Sequence, residues 1–257
     1  MALLSTSIEE QIATITINHP PANALSSLVL KELSGVLDGL ETNEEVRVIV
    51  LKGEGRFFSA GADIKEFTTV SNGEEFSKLS TYGQNLFERM ENFNKPIIAS
   101  IHGAALGGGL ELAMGCHFRI VSETAKLGLP ELQLGLIPGF AGTARLPKFV
   151  GVAKAAEMLW TSDPISGKEA VQFGLANHAF PEENLVEETY KIAKKIAAKS
   201  PISIAATIEL LNIAKTKQYH AGVAREAELF GQVFTSEDGQ EGIQAFIEKR
   251  QPQFKGK

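Results

Sequence analysis

Two glutamates in apolar surroundings are the residues of this sequence best suited to proton transfer. Glu111 lies between the glycine run at 107–109 and the apolar residues at 112–114, and Glu131 lies within the apolar, Gly/Pro-punctuated stretch at 127–139. A carboxyl group among apolar side chains is costly unless it has a partner or a use, and burial raises its pKa towards neutrality. Addition of water across a double bond requires two such groups, because one takes a proton from water and the other supplies a proton to carbon.

Each feature also has an ordinary structural interpretation when it is taken alone. A glycine cluster often marks close packing of a helix on a sheet. A lone glutamate at a helix start is often solvated or interacts with the helix dipole. The functional interpretation therefore depends on the two glutamates together with their surroundings.

The glycine-rich segment at 101–115 begins at a predicted strand end and continues into a predicted helix. Unpaired N–H groups at such a position attract negative charge, either a phosphate or the oxyanion that develops on a thioester. A P-loop needs Gly-Lys-Ser/Thr after its glycines, whereas Gly109 is followed by Leu110 and Glu111. The possible dinucleotide fingerprint at 53–58 also fails, because Phe58 stands where its last glycine is needed. Both nucleotide motifs are excluded.

A third loop of small residues, at 56–65, follows the predicted strand at 46–51. A loop of this kind can present a backbone N–H towards the crevice that the other loops line. The loop is a weak signal by itself. Three small-residue loops at strand ends, two of which carry a carboxylate, form a much stronger one.

The elements that must position these loops alternate in the first half of the chain. Apolar residues at helical spacing predict a helix over 25–40, and short β-branched runs predict strands at 12–17, 46–51, 96–101 and 118–121. Strands that alternate with helices indicate crossover units in an α/β fold. From about residue 154 the helical spacing continues, which predicts four or five helices and no strong strand.

Composition limits the class of protein. The chain has 257 residues, of which 44% are hydrophobic and 22% charged, with a formal net charge of −6. An acidic balance without a concentrated basic surface argues against a nucleic-acid partner. No stretch approaches about 18 uninterrupted apolar residues, so we expect no membrane partner. The first ten residues lack a basic start and Cys116 is the only cysteine, so we expect a cytoplasmic protein.

Other catalytic classes lack their motifs. No Gly-x-Ser-x-Gly elbow of a serine hydrolase occurs, and Cys116 has no evident activating base, so it is interpreted as a small core residue. No metal is predicted, because metal-ligand spacing is absent among the five histidines, His19, His102, His117, His178 and His220.

At these loops the sequence resembles the crotonase, or enoyl-CoA hydratase/isomerase, superfamily, and within it the enoyl-CoA hydratases. The likeness covers nearly the whole chain. It is carried by Ser-Ala-Gly-Ala-Asp-Ile-Lys-Glu at 59–66, by the segment Lys95–Met114, by Leu127–Gly139, and by the shorter matches Gly142-Thr143, Arg145-Leu146, Ile165-Ser166 with Ala170, and Gly174-Leu175.

The resemblance implies a role for each matching residue. The backbone N–H groups of Ala62 and Gly108 match the family's oxyanion hole, which polarises the thioester carbonyl. Glu131 matches the donor of the proton to C2, and Glu111 matches the residue that positions and deprotonates water; the two roles can be shared by a coupled pair. Gly139 matches a glycine beside the bound water.

The resemblance also implies an acyl-CoA thioester as substrate and no cofactor, since coenzyme A is part of the substrate. The residues that correspond to the coenzyme-A contacts are Ala24, Ala60, Asp63, Ile64 and Lys65. Acyl-chain length is expected to depend on 67–93, which is the stretch that matches the family least well.

The family fold is an α/β spiral of ββα units followed by a C-terminal helical trimerisation region. The corresponding division of this chain is a crotonase-like core at 1–195 and a helical region at 196–257. A homotrimer, or a homohexamer of paired trimers, is the expected assembly.

Three alternatives remain open at this point. A Δ3-Δ2 enoyl-CoA isomerase can work with the carboxylate that matches Glu131 alone, so two glutamates favour a hydratase. Other crotonase-type acyl-CoA lyases typically alter one or both glutamates. A non-catalytic coenzyme-A-binding or RNA-binding relative is expected to have lost a carboxylate or gained a basic face, and this chain has done neither.

Overall fold

The computed structural model of the chain describes residues 2–63, 66, 73–215, 230, 232 and 234–257, without the side chains of 73–76 and 246. Its strands are β1 Leu4–Glu9, β2 Ile12–Ile17, β3 Val48–Gly53, β4 Ile97–Ile101, β5 Ala104–Leu106, β6 Phe118–Ser122, β7 Lys126–Gly128, β8 Ile165–Ser166 and β9 His178–Phe180. Its helices are α1 Ser27–Glu41, α2 Gly73–Glu91, α3 Gly108–Gly115, α4 Gly142–Thr161, α5 Gly167–Gln172, α6 Glu182–Ala197, α7 Pro201–Ala214 and α8 Glu237–Glu248, and a 3₁₀ turn spans Glu131–Leu134.

The main sheet has six strands in the order β1-β2-β3-β4-β6-β9. Only the β1–β2 pair is antiparallel, and the other pairs are parallel. The carboxyl ends of these parallel strands lie at one edge, so the loops that follow β3 and β4 meet there.

Side chains of the central strands alternate between two cores, as a pleated strand requires. On β3, Ile49 and Leu51 point into the larger core, which also includes the apolar faces of α1 and α2 and the apolar residues of α3. Val48 and Val50 point to the other face, where α6 covers the sheet. A sheet covered on both faces by helices explains why β3 and β4 read as continuous apolar runs.

A second sheet of three strands, β5-β7-β8, carries the glycine-rich segment away from the main sheet. The loop after β3 runs between this sheet and the residues before α1, making one bridge from Ser59 to Ala105 and another from Leu25 to Ala62. These bridges fix the loop from both sides.

The predicted α/β crotonase-like spiral is confirmed, as are the four predicted strands and the first helix, with ends displaced by up to two residues. From about residue 154 no strong strand was predicted, and the structure has two short strands there, since β8 pairs with β7 and β9 with β6. These strands have two and three residues, too few to show a period along the sequence. The division at residues 195 and 196 stays a prediction.

The described residues contain no single helix that is long and apolar enough to cross a membrane. α6 and α7 meet such a criterion of length and composition only as a pair, and a bend of 104° separates them.

Candidate active site

Glu111 is held rigidly at the start of α3. Its side chain is buried, at 1% exposure, and Oε1 accepts hydrogen bonds from the backbone N–H groups of Phe140 at 2.8 Å and Gly142 at 2.7 Å. Burial and, after it, the neighbouring Glu131 raise the pKa of Glu111 to about 7, against the lowering effect of the two N–H donors and Arg145. A carboxyl group with this pKa can exchange a proton near neutral pH.

Glu131 occupies a different environment at the first position of the 3₁₀ turn. Its Oε2 is buried and has no hydrogen-bond partner among the described residues. Burial raises the pKa of this carboxyl as well, against the lowering effect of its own backbone N–H. A buried carboxyl oxygen without a partner among the described residues is available to a bound ligand.

Two backbone N–H groups lie beside these carboxyls. Across the bridge to Leu25, the carbonyl of Gly61 and the N–H of Asp63 point to that residue, so the N–H of Ala62 points to the opposite side, where Gly108 lies. A methyl group added at Gly108 would lie 3.2 Å from the Ala62 nitrogen. Gly108 is the first residue of α3, so its N–H has no partner within the helix. No described residue accepts a hydrogen bond from either group. The pair is therefore free to bind an oxyanion.

The two N–H groups are close because α3 contacts the loop after β3 through a glycine. A Cβ atom at Gly109 would lie 2.3 Å from the carbonyl oxygen of Ser59, a separation that backbone atoms do not tolerate. Gly109 therefore sets the distance between the helix start and the loop that carries Ala62.

One cavity of about 520 Å³ joins these groups. Its lining includes the two glutamates, Ala62 and Gly108 with their free N–H groups, and Gly139. The other described lining residues are uncharged. They include residues of α2, of the 3₁₀ turn and of the segment that follows it, among them Leu79, Ser80, Gln84, Leu134, Leu136, Ile137 and Phe140.

The structure thus brings Glu111, Glu131, Ala62, Gly108 and Gly139 to one cavity. Their catalytic roles stay predictions at this stage. No described residue accepts a hydrogen bond from the N–H of Gly139, so this group is available to a water molecule.

Of the predicted coenzyme-A contacts that the structure describes, only Ala60 lines this cavity. Ala60 is exposed and lines the cavity, Asp63 is half-buried beside Leu25, and the carbonyl of Ala24 already bonds His19 Nδ1 at 2.7 Å. Ile64 and Lys65 lie outside the described residues. These contacts stay predictions.

Sequence reasoning gave no role to three residues that hold the site. Ser80 and Gln84 were not singled out, and Arg145 was named only as part of a short match to the family. Ser80 and Gln84 bond the carbonyl of Gly139, and Arg145 bonds the carbonyl of Phe140. Ser80 and Gln84 lie one helical turn apart, a visible spacing, but nothing in the sequence relates that turn to a loop 55 residues later.

Among the described residues no group of three or more His, Cys, Asp or Glu side chains could hold a metal ion. Glu111 and Glu131 share their cavity with backbone donors and apolar side chains. The chemistry that this arrangement supports is transfer of protons next to a carbonyl whose negative charge is stabilised by two N–H groups.

Known proteins are similar to this chain in sequence and in fold. The family described as "Enoyl-CoA hydratase/isomerase" matches residues 7–257. A "Probable enoyl-CoA hydratase" of Bacillus subtilis is 57% identical over 257 residues, covering 100% of both chains. A "Short-chain-enoyl-CoA hydratase" of Clostridium acetobutylicum is 39% identical over 244 residues, which is 94% of this chain and 93% of that protein.

A crystal structure of an enoyl-CoA hydratase from Bacillus anthracis superposes on this chain with a TM-score of 0.95, at 37% sequence identity and with 100% of both chains covered. Family match, full-length relatives and superposed structure agree with the resemblance inferred from the loops that carry the two glutamates. The chain belongs to the enoyl-CoA hydratase/isomerase family.

Proposed function

We propose that the protein is an enoyl-CoA hydratase that adds water across the 2,3 double bond of a trans-2-enoyl-CoA to give a 3-hydroxyacyl-CoA. The observation that carries the proposal is the convergence of four groups on one cavity: the buried carboxyl of Glu111 and the half-buried carboxyl of Glu131, both of raised pKa, and two free backbone N–H groups. Full-length relatives that carry the name enoyl-CoA hydratase support it.

The N–H groups of Ala62 and Gly108 bind the thioester carbonyl oxygen. Ionised Glu111 accepts a proton from a water molecule, and the water oxygen forms a bond to C3. The electron pair of the double bond moves towards the carbonyl, and the resulting enolate oxygen is stabilised by the two N–H groups.

Protonated Glu131 then gives its proton to C2, which restores the carbonyl and completes the addition of one water. Glu111 ends protonated and Glu131 ionised, so one proton must pass between them, directly or through water, before the next turnover. Raised pKa values in both groups make this exchange feasible near neutral pH.

Loss of conjugated-thioester absorbance on mixing the protein with crotonyl-CoA, without added metal or nucleotide, tests the activity. Glu131→Gln should lower kcat by at least about a hundredfold, the usual scale for losing general acid–base help. Glu88→Gln, at an exposed position of α2, is the matched control and should keep wild-type turnover. Near wild-type turnover in Glu131→Gln would refute the mechanism.

A parallel assay with 3-enoyl-CoA separates hydration from isomerisation. Rapid conversion of 3-enoyl-CoA to 2-enoyl-CoA, with slow hydration of the product, would identify the isomerase alternative. Comparison of C4, C8, C16 and branched 2-enoyl-CoA substrates defines the acyl group.

We also infer a homotrimer or homohexamer that acts without a cofactor in the cytoplasm. Large apolar side chains exposed on the single chain, such as Val152, Trp160 and Leu211, support an assembly. A mechanism built from carboxyls and backbone donors supports independence from a cofactor. A single buried thiol with no partner cysteine suits a reducing compartment.

A further inference from the structure

The peptide group between Gly139 and Phe140 is held on both of its sides. Its N–H, on Phe140, donates to Glu111 Oε1 at 2.8 Å. Its carbonyl, on Gly139, accepts hydrogen bonds from Ser80 Oγ and, at 2.9 Å, from Gln84 Nε2. Because the peptide group is planar, a rotation that breaks the carbonyl bonds also turns the N–H away from Glu111.

Ser80 and Gln84 reach this peptide because α2 approaches it closely. A Cβ atom at Gly83 would lie 2.4 Å from the ring of Phe140, so only glycine allows this contact without displacing the ring. Phe87, one turn further along α2, packs edge-on against the same ring, with centroids 5.4 Å apart. One face of α2 is therefore fitted to the segment that holds Glu111.

The far side of that segment is also tied to α2. Arg145 Nη1 donates to the carbonyl of Phe140 at 2.7 Å, and its Nε pairs with Glu91, the last residue of α2, at 3.1 Å. The segment at 139–142, which donates to Glu111, is thus connected to α2 on both sides, through Ser80 and Gln84 and through the Arg145–Glu91 pair.

We propose that Gln84, together with Ser80, is a positioning residue for Glu111, which it orients through the Gly139–Phe140 peptide. Gln84 need not touch the reacting atoms for this role. The inference rests on the proposed function only in assigning Glu111 the activation of water. The same hydrogen bonds also connect α2, which forms part of the cavity wall, to the carboxyl of Glu111.

The charged groups and N–H donors around Glu111 determine whether its pKa rises or falls when Gln84 is replaced. Glu131, from the 3₁₀ turn, raises the pKa of Glu111, whereas Arg145, from α4, and the N–H groups of Phe140 and Gly142 lower it. Removing Gln84 leaves both charges in place and weakens one N–H bond to the ionised form. The pKa of Glu111 should therefore rise.

The first measurement is steady-state kinetics of Gln84→Met, which keeps the length of the side chain and removes its donors. We expect kcat for crotonyl-CoA to fall about tenfold with KM within about twofold, because a misdirected base loses transition-state stabilisation and little substrate binding. The ascending limb of the pH–rate profile should move to higher pH. Asn85→Ala, at an exposed position next in the chain, is the control and should match the wild type in both respects.

The second measurement does not depend on turnover. In protein labelled with ¹³C at glutamate carboxyls, the resonance of Glu111, assigned by its loss in Glu111→Gln, is followed against pH. Its midpoint should rise by about one pH unit in the double variant Ser80→Ala/Gln84→Met, the scale of one hydrogen bond to a charged group. This titration tests the positioning role even if no enoyl-CoA is hydrated, in which case the proposed function fails separately.

Two outcomes overturn the inference. One is a kcat within about twofold of the wild type in the double variant. The other is a lower kcat with an unmoved titration midpoint, which would indicate general structural damage. If Gln84→Met does not fold, as judged by circular dichroism, Ser80→Ala alone decides the question by the same two measurements.

Discussion

At the scale of single residues, the two carboxyls are alike in type and different in surroundings. Glu111 receives two backbone N–H bonds on one oxygen, whereas Glu131 Oε2 receives none from the described residues. The two donors hold Glu111 in one orientation, as the proposed role of positioning water requires. The oxygen of Glu131 that has no partner among the described residues is open to a bound ligand, as the proposed role of proton donor requires.

Burial of Glu111 should make the protein less stable at alkaline pH. The folded-state pKa of about 7 lies above the ordinary value of 4.5, so the folded state binds the proton more tightly and ionisation opposes folding. We expect Glu111→Gln to raise the free energy of unfolding at pH 8 by about 1–3 kcal/mol, and the gain to fade as the pH decreases from 7 towards 4.5. Urea unfolding at pH 8, 6 and 5 measures it.

Glu88→Gln is the control for this experiment, because it removes the same charge from an exposed site. Its unfolding free energy should stay within about 0.5 kcal/mol of the wild type at each pH. A Glu111→Gln variant that is less stable than the wild type at pH 8 would contradict the expected sign.

The charges inside the cavity also restrict the acyl group. Of the described residues that line it, the two glutamates are the charged ones, and none is a lysine, arginine or histidine. A terminal carboxylate on the acyl chain would meet like charge without a counter-ion. We expect a kcat/KM at least about tenfold lower for an enoyl-CoA with a terminal carboxylate than for the uncharged chain of equal length, measured by the same absorbance assay. Equal values for the two substrates would argue against this prediction.

At the scale of elements, the short helix α3 has the central part. All eight of its residues are buried, and its start presents the N–H of Gly108 while its first turn carries Glu111. Any shift of α3 therefore moves the N–H donor of Gly108 and the carboxyl of Glu111 together.

Gly109→Ala should separate the two N–H groups of the oxyanion hole. The added methyl would meet the carbonyl oxygen of Ser59 at 2.3 Å and Ser59 Cβ at 2.8 Å, so helix and loop must move apart. We expect a loss of about 1–3 kcal/mol in the free energy of unfolding, the usual cost of overpacking a core, and a fall in kcat. Urea titration and the hydration assay measure the two effects.

Gly35→Ala, in the middle of α1, is the matched substitution, because open space surrounds that glycine. It should stabilise the protein by about 0.5–1 kcal/mol through helix propensity and leave kcat unchanged. Equal changes in the unfolding free energy and in kcat for the two substitutions would show that the close contact of Gly109 with Ser59 is not required.

At the scale of the whole molecule, the exposed apolar side chains call for a covering surface. Val152 and Trp160 of α4 are 76% and 77% exposed, and Leu211 of α7 and Ile247 of α8 are 66% and 67% exposed. Exposed apolar side chains that form one patch are typical of subunit interfaces, and we expect the proposed assembly to cover these four.

We expect light scattering after size-exclusion chromatography to give three or six times the 27.7 kDa of one chain. Trp160 is the only tryptophan, so its fluorescence offers an independent reading. Weak quenching by acrylamide would place it inside an interface. A mass of 27.7 kDa at micromolar concentration, with a fully quenched Trp160, would contradict the assembly.

The sequence predicts those features of the fold and the site whose signal lies within a few neighbouring residues. The strands at 12–17 and 118–121 and the helix over 25–40 could be predicted because their patterns repeat within a few residues. Glu111 and Glu131 stand out for the same reason, as carboxyls among apolar neighbours. By contrast, β8 and β9 are too short to show a pattern. The contact of Gln84 with Gly139 and the direction of the Ala62 N–H depend on bridges between distant segments, which no local pattern encodes.

The proposed oxyanion hole and the two hydrogen bonds that hold Glu111 are formed by main-chain N–H groups, from Ala62, Gly108, Phe140 and Gly142. Every amino acid except proline supplies such a group, so few point mutations delete these donors, and the others can only displace them. An inhibitor that mimics the enolate and contacts only this main chain would leave an organism few routes to resistance. By contrast, the cavity side chains for which we propose no role in holding Glu111, such as Leu134, Leu136 and Ile137, can change and alter the substrate preference while the chemistry stays the same.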